Sequence, residues 1–194
     1  MGSESLTLGF DTSAAHCAAA LLSGTTVLTA TSEEMARGQA ERLMPMIEEL
    51  LTTHGVGWSD LSRIGVGVGP GNFSGIRISV SAARGLALSL GIPAVGVSTF
   101  EATALTAPED RTLAVTAPQN RVYVSPVGQD PYLTERSESM SLAFPPGGAE
   151  LTTNIARIAA AAKAPFTRPA PLYIRAADAA PPREAPPVIL DDEH

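Results

Sequence analysis

Short apolar runs separated by polar turn formers govern the first part of the chain: Leu6-Thr7-Leu8-Gly9-Phe10, His16 to Leu22 and Val27 to Ser32 are divided by Asp11-Thr12-Ser13 and by Ser23-Gly24-Thr25-Thr26. Such a pattern predicts three strands in an antiparallel meander. From Gln39 to Thr53 the spacing changes. Leu43, Met44, Ile47, Leu50 and Leu51 recur three and four apart, one buried stripe of a helix that His54-Gly55 closes. A strand at Ile64 to Val68 leads through a glycine-rich turn into a second helix, Phe73 to Leu90, ended by Gly91-Ile92-Pro93, and Ala94 to Val97 starts another strand. Ser79, Ala82, Ala83, Gly85 and Ala87 of the second helix are small enough to let a neighbouring helix pack closely. Further on, Thr112 to Thr116 and Arg121 to Val127 read as two strands around Ala117-Pro118-Gln119-Asn120, and Thr152 to Ala164 as a short helix.

The order β-β-β-α-β-α-β is that of a ribonuclease H-like lobe, and element order alone leaves other mixed α/β folds open. The second half opens like a comparable unit. Its character changes from Pro145 onward, because nine of the 16 prolines lie in the last fifty residues, and Ala176 to His194 is expected to be irregular. With 194 residues, 44% apolar and 17% charged, the chain has ample core for one domain or two small lobes. No apolar run approaches the roughly 18 residues of a membrane span, and Met1 to Ser5 carries no basic or cleavable apolar segment, so no membrane role and a cytoplasmic location are expected. The lone Cys17, among Ala and Leu neighbours, is expected to be a buried strand residue. A net charge of −7 with 13 scattered basic residues argues against free-standing nucleic-acid binding, so any RNA role needs a basic partner.

The segment Gly65 to Gly75 holds five of the 17 glycines between an apolar run and a helix. Glycines let a backbone, or an anion, come close, and a helix opening behind them presents amides with partial positive charge. As a phosphate signal it is weak: no Gly-Lys-Ser/Thr follows, and Gly67, Gly69 and Gly71 do not give the dinucleotide order. Asp11, Gly69 and Gly71 are the candidates for a nucleotide or cofactor contact, with Asp11 placed to hold a metal or water near phosphate. The plainer alternative is that Asp11 and Ser13 cap their turn. His16, His54 and His194 stand far apart with no ligand spacing, so no metal site is expected; Ser13 and Ser74 lack any nucleophile signature, and no catalytic residue is assigned.

Four segments together carry a resemblance: Leu8-Gly9-Phe10-Asp11-Thr12-Ser13; Gln39 through Ile47; Gly65 through Ile78, with its G-V-G-P-G-x-F-S-G-I-R core; and Gly85-Leu86-Ala87 through Gly96-Val97-Ser98-Thr99. In this order and spacing, covering roughly residues 6 to 105, they resemble the bacterial TsaB (YeaZ) family. Gln119-Asn120-Arg121-Val122-Tyr123 and Pro171-Leu172-Tyr173-Ile174-Arg175 are weaker echoes. The resemblance implies an α/β fold of the actin-like ATPase (ASKHA), ribonuclease H-like class with a shortened second lobe: residues 1–105 as the N-terminal lobe with the interaction helices, 106–194 as the C-terminal lobe with a Pro-rich tail. It implies a part in making threonylcarbamoyladenosine next to the tRNA anticodon as a non-catalytic subunit without a cofactor. The partners implied are a paralogue of the TsaD type, which carries the metal and the transfer chemistry, and a TsaE-type ATPase, with a homodimer when alone and tRNA met only through the complex. The paralogue's metal ligands are an H-x-x-x-H pair, and at the matching place this chain has Thr99 and Thr103, poor substitutes for imidazoles. The two helices are the family's association surface, which makes Leu43, Met44, Ile47, Ser79, Ala82, Ala83 and Leu86 the expected partner contacts. The competing expectation is an ASKHA-type ATPase or small-molecule kinase using Asp11 and the Gly65–Gly75 loop.

Overall fold

The computed structural model describes residues 5–174. Its first sheet has the strand order β3-β2-β1-β4-β5, formed by β1 (Leu6–Asp11), β2 (His16–Ser23), β3 (Thr26–Glu34), β4 (Leu61–Gly67) and β5 (Ala94–Val97). The first three strands pair antiparallel as the alternation requires, whereas β4 and β5 join in parallel because helices α1 (Gln39–Thr53) and α2 (Phe73–Leu90) cross over between them. This is the strand order of a ribonuclease H-like lobe.

Helices cover both faces of this sheet. On one face Cys17, Ala19 and Leu21 of β2, Leu8 and Phe10 of β1, and Ile64 and Val66 of β4 meet Leu43, Met46, Ile47 and Leu50 of α1 and Ile76, Val80 and Ala83 of α2. The opposite face is covered by α4 (Gly148–Ala161), where Ala20 and Leu22 meet Ala156. A Cβ at Gly9 would lie 2.6 Å from Thr152 O, and one at its register partner Gly65 would lie 2.8 Å from Ala159 Cβ. The paired glycines therefore form a groove in which the helix backbone rides directly on the sheet. Arg63 closes the far end of α4, its Nη1 donating to the carbonyls of Ala159, Ala160 and Ala162 at 2.7, 2.9 and 2.8 Å. A cation there also suits the negative end of the helix dipole.

The second sheet, β8-β7-β6-β9, is formed by β6 (Thr112–Ala117), β7 (Arg121–Ser125), β8 (Tyr132–Glu135) and β9 (Leu142–Ala143), and follows the short helix α3 (Thr99–Ala104). Gln119 and Asn120 turn β6 into β7 with φ of 62° and 55°, the left-handed pair of a tight hairpin. The core of this sheet is small: Ala114, Val122 and Val124 with Leu142 against them.

The helix expected at Thr152 to Ala164 runs from Gly148 to Ala161, and it packs on the first sheet even though its place in the chain assigned it to the 106–194 lobe. Its buried side, Leu151, Ile155, Ala156 and Ala159, fits the groove that Gly9 and Gly65 open. The irregular tail expected from Ala176 lies outside the described residues. Among the described residues no helix is long and apolar enough to cross a membrane.

Candidate functional site

β1 and β4 are parallel neighbours, so their C-terminal ends deliver Asp11-Thr12-Ser13 and the glycine loop to the same place. The two segments fill one another. A Cβ at Gly75 would overlap the carbonyl oxygen of Thr12 and stand 2.9 Å from its carbon; one at Gly71 would overlap Ser13 O, and one at Gly67 would overlap Asp11 Oδ1. Thr12 Oγ1 donates to Gly75 O at 2.7 Å, and Asn72 N donates to Ser13 O at 2.6 Å. The start of α2 is closed by its own cap, Gly75 N donating to Asn72 Oδ1 at 2.9 Å. Gly69 has φ of 90° and sits 2.5 Å, measured from an added Cβ, from Ile76 Cδ1. The Cβ-side space of Gly67, Gly71 and Gly75 is thus occupied by Asp11, Ser13 and Thr12.

Asp11 is 1% exposed. Its Oδ2 accepts from Ser13 N and Ser13 Oγ, each at 2.9 Å, and lies 2.8 Å from His16 Nε2. The first of these bonds is the turn-capping geometry. Asp11 Oδ1 is buried with no hydrogen-bond partner, packed against Gly67. Sequence reading missed the His16 contact: the tight reversal after Asp11 starts β2 at His16 and lays its ring back over the carboxylate. The ring's other nitrogen faces the first turn of α4, 3.1 Å from where a Cβ on Gly148 would stand.

The glycine loop is also tied to α3. Thr99 N donates to Gly69 O at 2.8 Å, Thr99 Oγ1 to Pro70 O at 3.1 Å, and Thr103 Oγ1 to Thr99 O at 2.6 Å. Both threonines are buried, and both hydroxyl protons go to backbone carbonyls. This pair does not fit a divalent transition metal, which needs imidazole, thiolate or carboxylate donors.

The seven expected partner contacts divide by burial. Leu43, Ile47, Ser79 and Ala83 are all 0–1% exposed and pack within the chain; Ser79 Oγ donates to Gly67 O at 3.1 Å. Their small size or apolar character serves helix-on-sheet packing. Met44 is 39% exposed, and Ala82 and Leu86 are half-buried, so these three remain available to a partner. Gly85 has open space around its Cβ position, and Leu88, two residues on from Leu86 and so on another side of the helix, is 85% exposed. At the start of α2 the Arg77 guanidinium stacks 3.8 Å from the exposed Phe73 ring and donates to Tyr173 Oη at 3.0 Å, an aromatic cluster that only the fold assembles.

Comparison with known proteins places this architecture. A family model described as TsaD, tRNA N6-adenosine threonylcarbamoyltransferase, matches residues 30–144. A solved structure, YeaZ from Pseudomonas aeruginosa, is 31% identical, with 71% of this chain and 68% of that chain covered and a TM-score of 0.56. The chain belongs to the TsaB (YeaZ) family. The Escherichia coli K12 relative, tRNA threonylcarbamoyladenosine biosynthesis protein TsaB, is 40% identical over 93 residues, 48% of this chain and 40% of the relative. A second Pseudomonas aeruginosa structure, an uncharacterized protein with similarity to peptidase YEAZ, is 24% identical with a TM-score of 0.72, covering 88% of this chain and all of that one, and supports the fold. The chain spans about half the length of the curated TsaB relatives it matches.

Proposed function

We propose that this chain takes part in forming threonylcarbamoyladenosine in tRNA as a subunit that binds and stabilises a TsaD-type paralogue and leaves the transfer chemistry to it. One observation carries the reading. Where the transferring paralogue is expected to hold two metal-binding imidazoles, this chain has Thr99 and Thr103, buried and donating to backbone carbonyls. Its glycine loop likewise spends its open faces on Thr12 and Ser13. The chain's contribution is then a surface, for which Met44 on α1 and Ala82 and Leu86 on α2 are accessible apolar positions. The same surface would serve a homodimer when the chain is alone, a TsaE-type ATPase would join the assembly, and tRNA would be met through the complex in the cytoplasm.

The test is co-purification of this chain with the TsaD-type protein of the same organism, followed by a threonylcarbamoyladenosine assay with and without it. Complex formation and dependent modification are expected. Ala82→Arg should weaken association in sedimentation without unfolding the chain, because Ala82 is half-exposed; Ala83→Arg would instead force a cation into the core. The nucleotide-handling alternative is favoured by a single feature, the partnerless Oδ1 of Asp11. Tight ATP binding lost in Asp11→Asn, together with no complex, would replace the partner reading with that one.

A further inference from the structure

The second lobe carries a cavity of about 550 Å³ under the segment that leads from β8 to β9. Arg111 and Ser141 line it toward the start of β6, and Asn120, Arg136 and Phe144 line it elsewhere, with Glu138 the one carboxylate in its wall. Its lining is mainly polar, and its volume lies in the range of small-molecule sites. Among the described residues the carboxylates in contact with a basic side chain are Glu33 and Glu49 with Arg42, and Asp11 with the His16 imidazole. Arg111 and Arg136 thus have no carboxylate partner among the described residues, and both line this one cavity in a chain whose net charge is −7. Arg136 also stands 5.2 Å over the ring of Phe144, which is 36% exposed, and its backbone N donates to Asn120 O at 3.0 Å.

We propose that this cavity binds a mononucleotide, its phosphate held by the unpaired guanidinium groups and its base stacked at the Arg136–Phe144 end. Guanidinium groups bind phosphate oxygens through paired, charge-assisted hydrogen bonds. Aromatic and guanidinium planes both accept a stacked base. The occupant is a small phosphate-bearing molecule, not a long nucleic acid: two cations can neutralise one phosphate group, while the surrounding negative charge repels a polyanion that needs many such contacts. The site is separate from Asp11 and the glycine loop, and it does not depend on the partner reading.

The test is a titration of the full-length, ¹⁵N-labelled chain followed by amide chemical shifts, with adenosine monophosphate, inorganic phosphate and a short single-stranded oligoribonucleotide as probes. The expected result is saturable binding of the mononucleotide with shifts gathered at Arg111, Asn120 and the 136–144 segment. Arg111→Gln and Arg136→Gln should each weaken it roughly tenfold or more. Phe144→Leu should weaken the mononucleotide and leave inorganic phosphate unchanged, and Arg157→Gln, outside the cavity, should change neither. Retained dispersion of the amide spectrum certifies that each variant is folded. No saturable binding, shifts gathered instead at Gly65 to Gly75, or binding of the oligoribonucleotide without the mononucleotide would each overturn the proposal.

Discussion

Two glycine-to-alanine changes on the same helix separate the packing account of the glycine loop from any other. Alanine is the better helix former by about 1 kcal/mol, so propensity alone makes both Gly75→Ala and Gly85→Ala stabilising. Gly85 has open space around its Cβ position, and there the gain should be realised as about 0.5–1 kcal/mol. At Gly75 the new methyl overlaps the Thr12 carbonyl oxygen and stands 2.9 Å from its carbon, and both belong to backbone that cannot rotate away. Relieving it requires α2 to shift from the β1–β2 turn, an overpacking cost of about 1–3 kcal/mol. The shift also stretches the 2.7 Å bond from Thr12 Oγ1 to Gly75 O, at about 1 kcal/mol more. Gly75→Ala should therefore destabilise by about 2–4 kcal/mol against the sign of its propensity. Urea unfolding followed by circular dichroism, with the slope checked for two-state behaviour, measures both variants. If Gly75→Ala is as stable as the parent or gains alongside Gly85→Ala, the loop glycines are not packing elements and the reasoning fails.

Arg63→Met, which keeps the stem and removes the donors at three carbonyls, should cost about 2–3 kcal/mol in the same assay, with Arg63→Lys recovering only part. Cys17 is buried and its thiol is pushed up from 9.0 to about 11, first by burial and then by the nearby Glu33 charge. It should resist disulfide-exchange reagents at neutral pH until the chain unfolds. Because the folded thiol holds its proton more tightly than the unfolded one, its contribution to stability is complete below pH 9.0 and is lost as the pH rises toward about 11; Cys17→Ala should flatten that part of the profile. Arg42 holds the carboxylates of Glu33 and Glu49 below their ordinary range, chiefly through hydrogen bonds. The tie between β3 and α1 should accordingly be present above the ordinary carboxylate range and weaken as the pH falls, and Arg42→Gln should remove that dependence.

The elements of the first sheet were legible because each obeys a local rule. The meander alternates, α1 carries its apolar stripe, and Gly91 ends α2 with φ of 67°. Local rules do not say what covers a strand's second face. Cys17 to Leu22 is buried on both sides, and the helix on the far side comes from more than a hundred residues later, so no local pattern shows that α4 packs on the first sheet. The same limit applies to the interface. Leu43 and Ile47 are one helical stripe, and a stripe shows which residues need burial without showing whether their own sheet or a partner provides it. Here their own sheet does. The Asp11–His16 contact, the Arg63 cap and the Arg111–Arg136 cavity all join residues whose juxtaposition no periodicity encodes.

Glycine at a strand-to-helix turn admits two readings, a space left for a ligand and a space taken by the chain, and the contact at each glycine decides between them. At Gly67, Gly71 and Gly75 the space is taken by Asp11, Thr12 and Ser13, so the residues that suggested a phosphate loop clamp β1 to α2. That clamp fixes the origin of α2, and through Thr99 it also fixes the start of α3. A chain built in this way is suited to present the accessible positions of α1 and α2 in a constant geometry. Of the two ends where chemistry could be sought, the strand ends of the first sheet pack against the chain's own β1–β2 turn, while beside the second sheet Arg111 and Arg136 line an open cavity with no carboxylate partner among the described residues. The proposed partner surface and the proposed anion site draw on no residue in common, so the two can coexist.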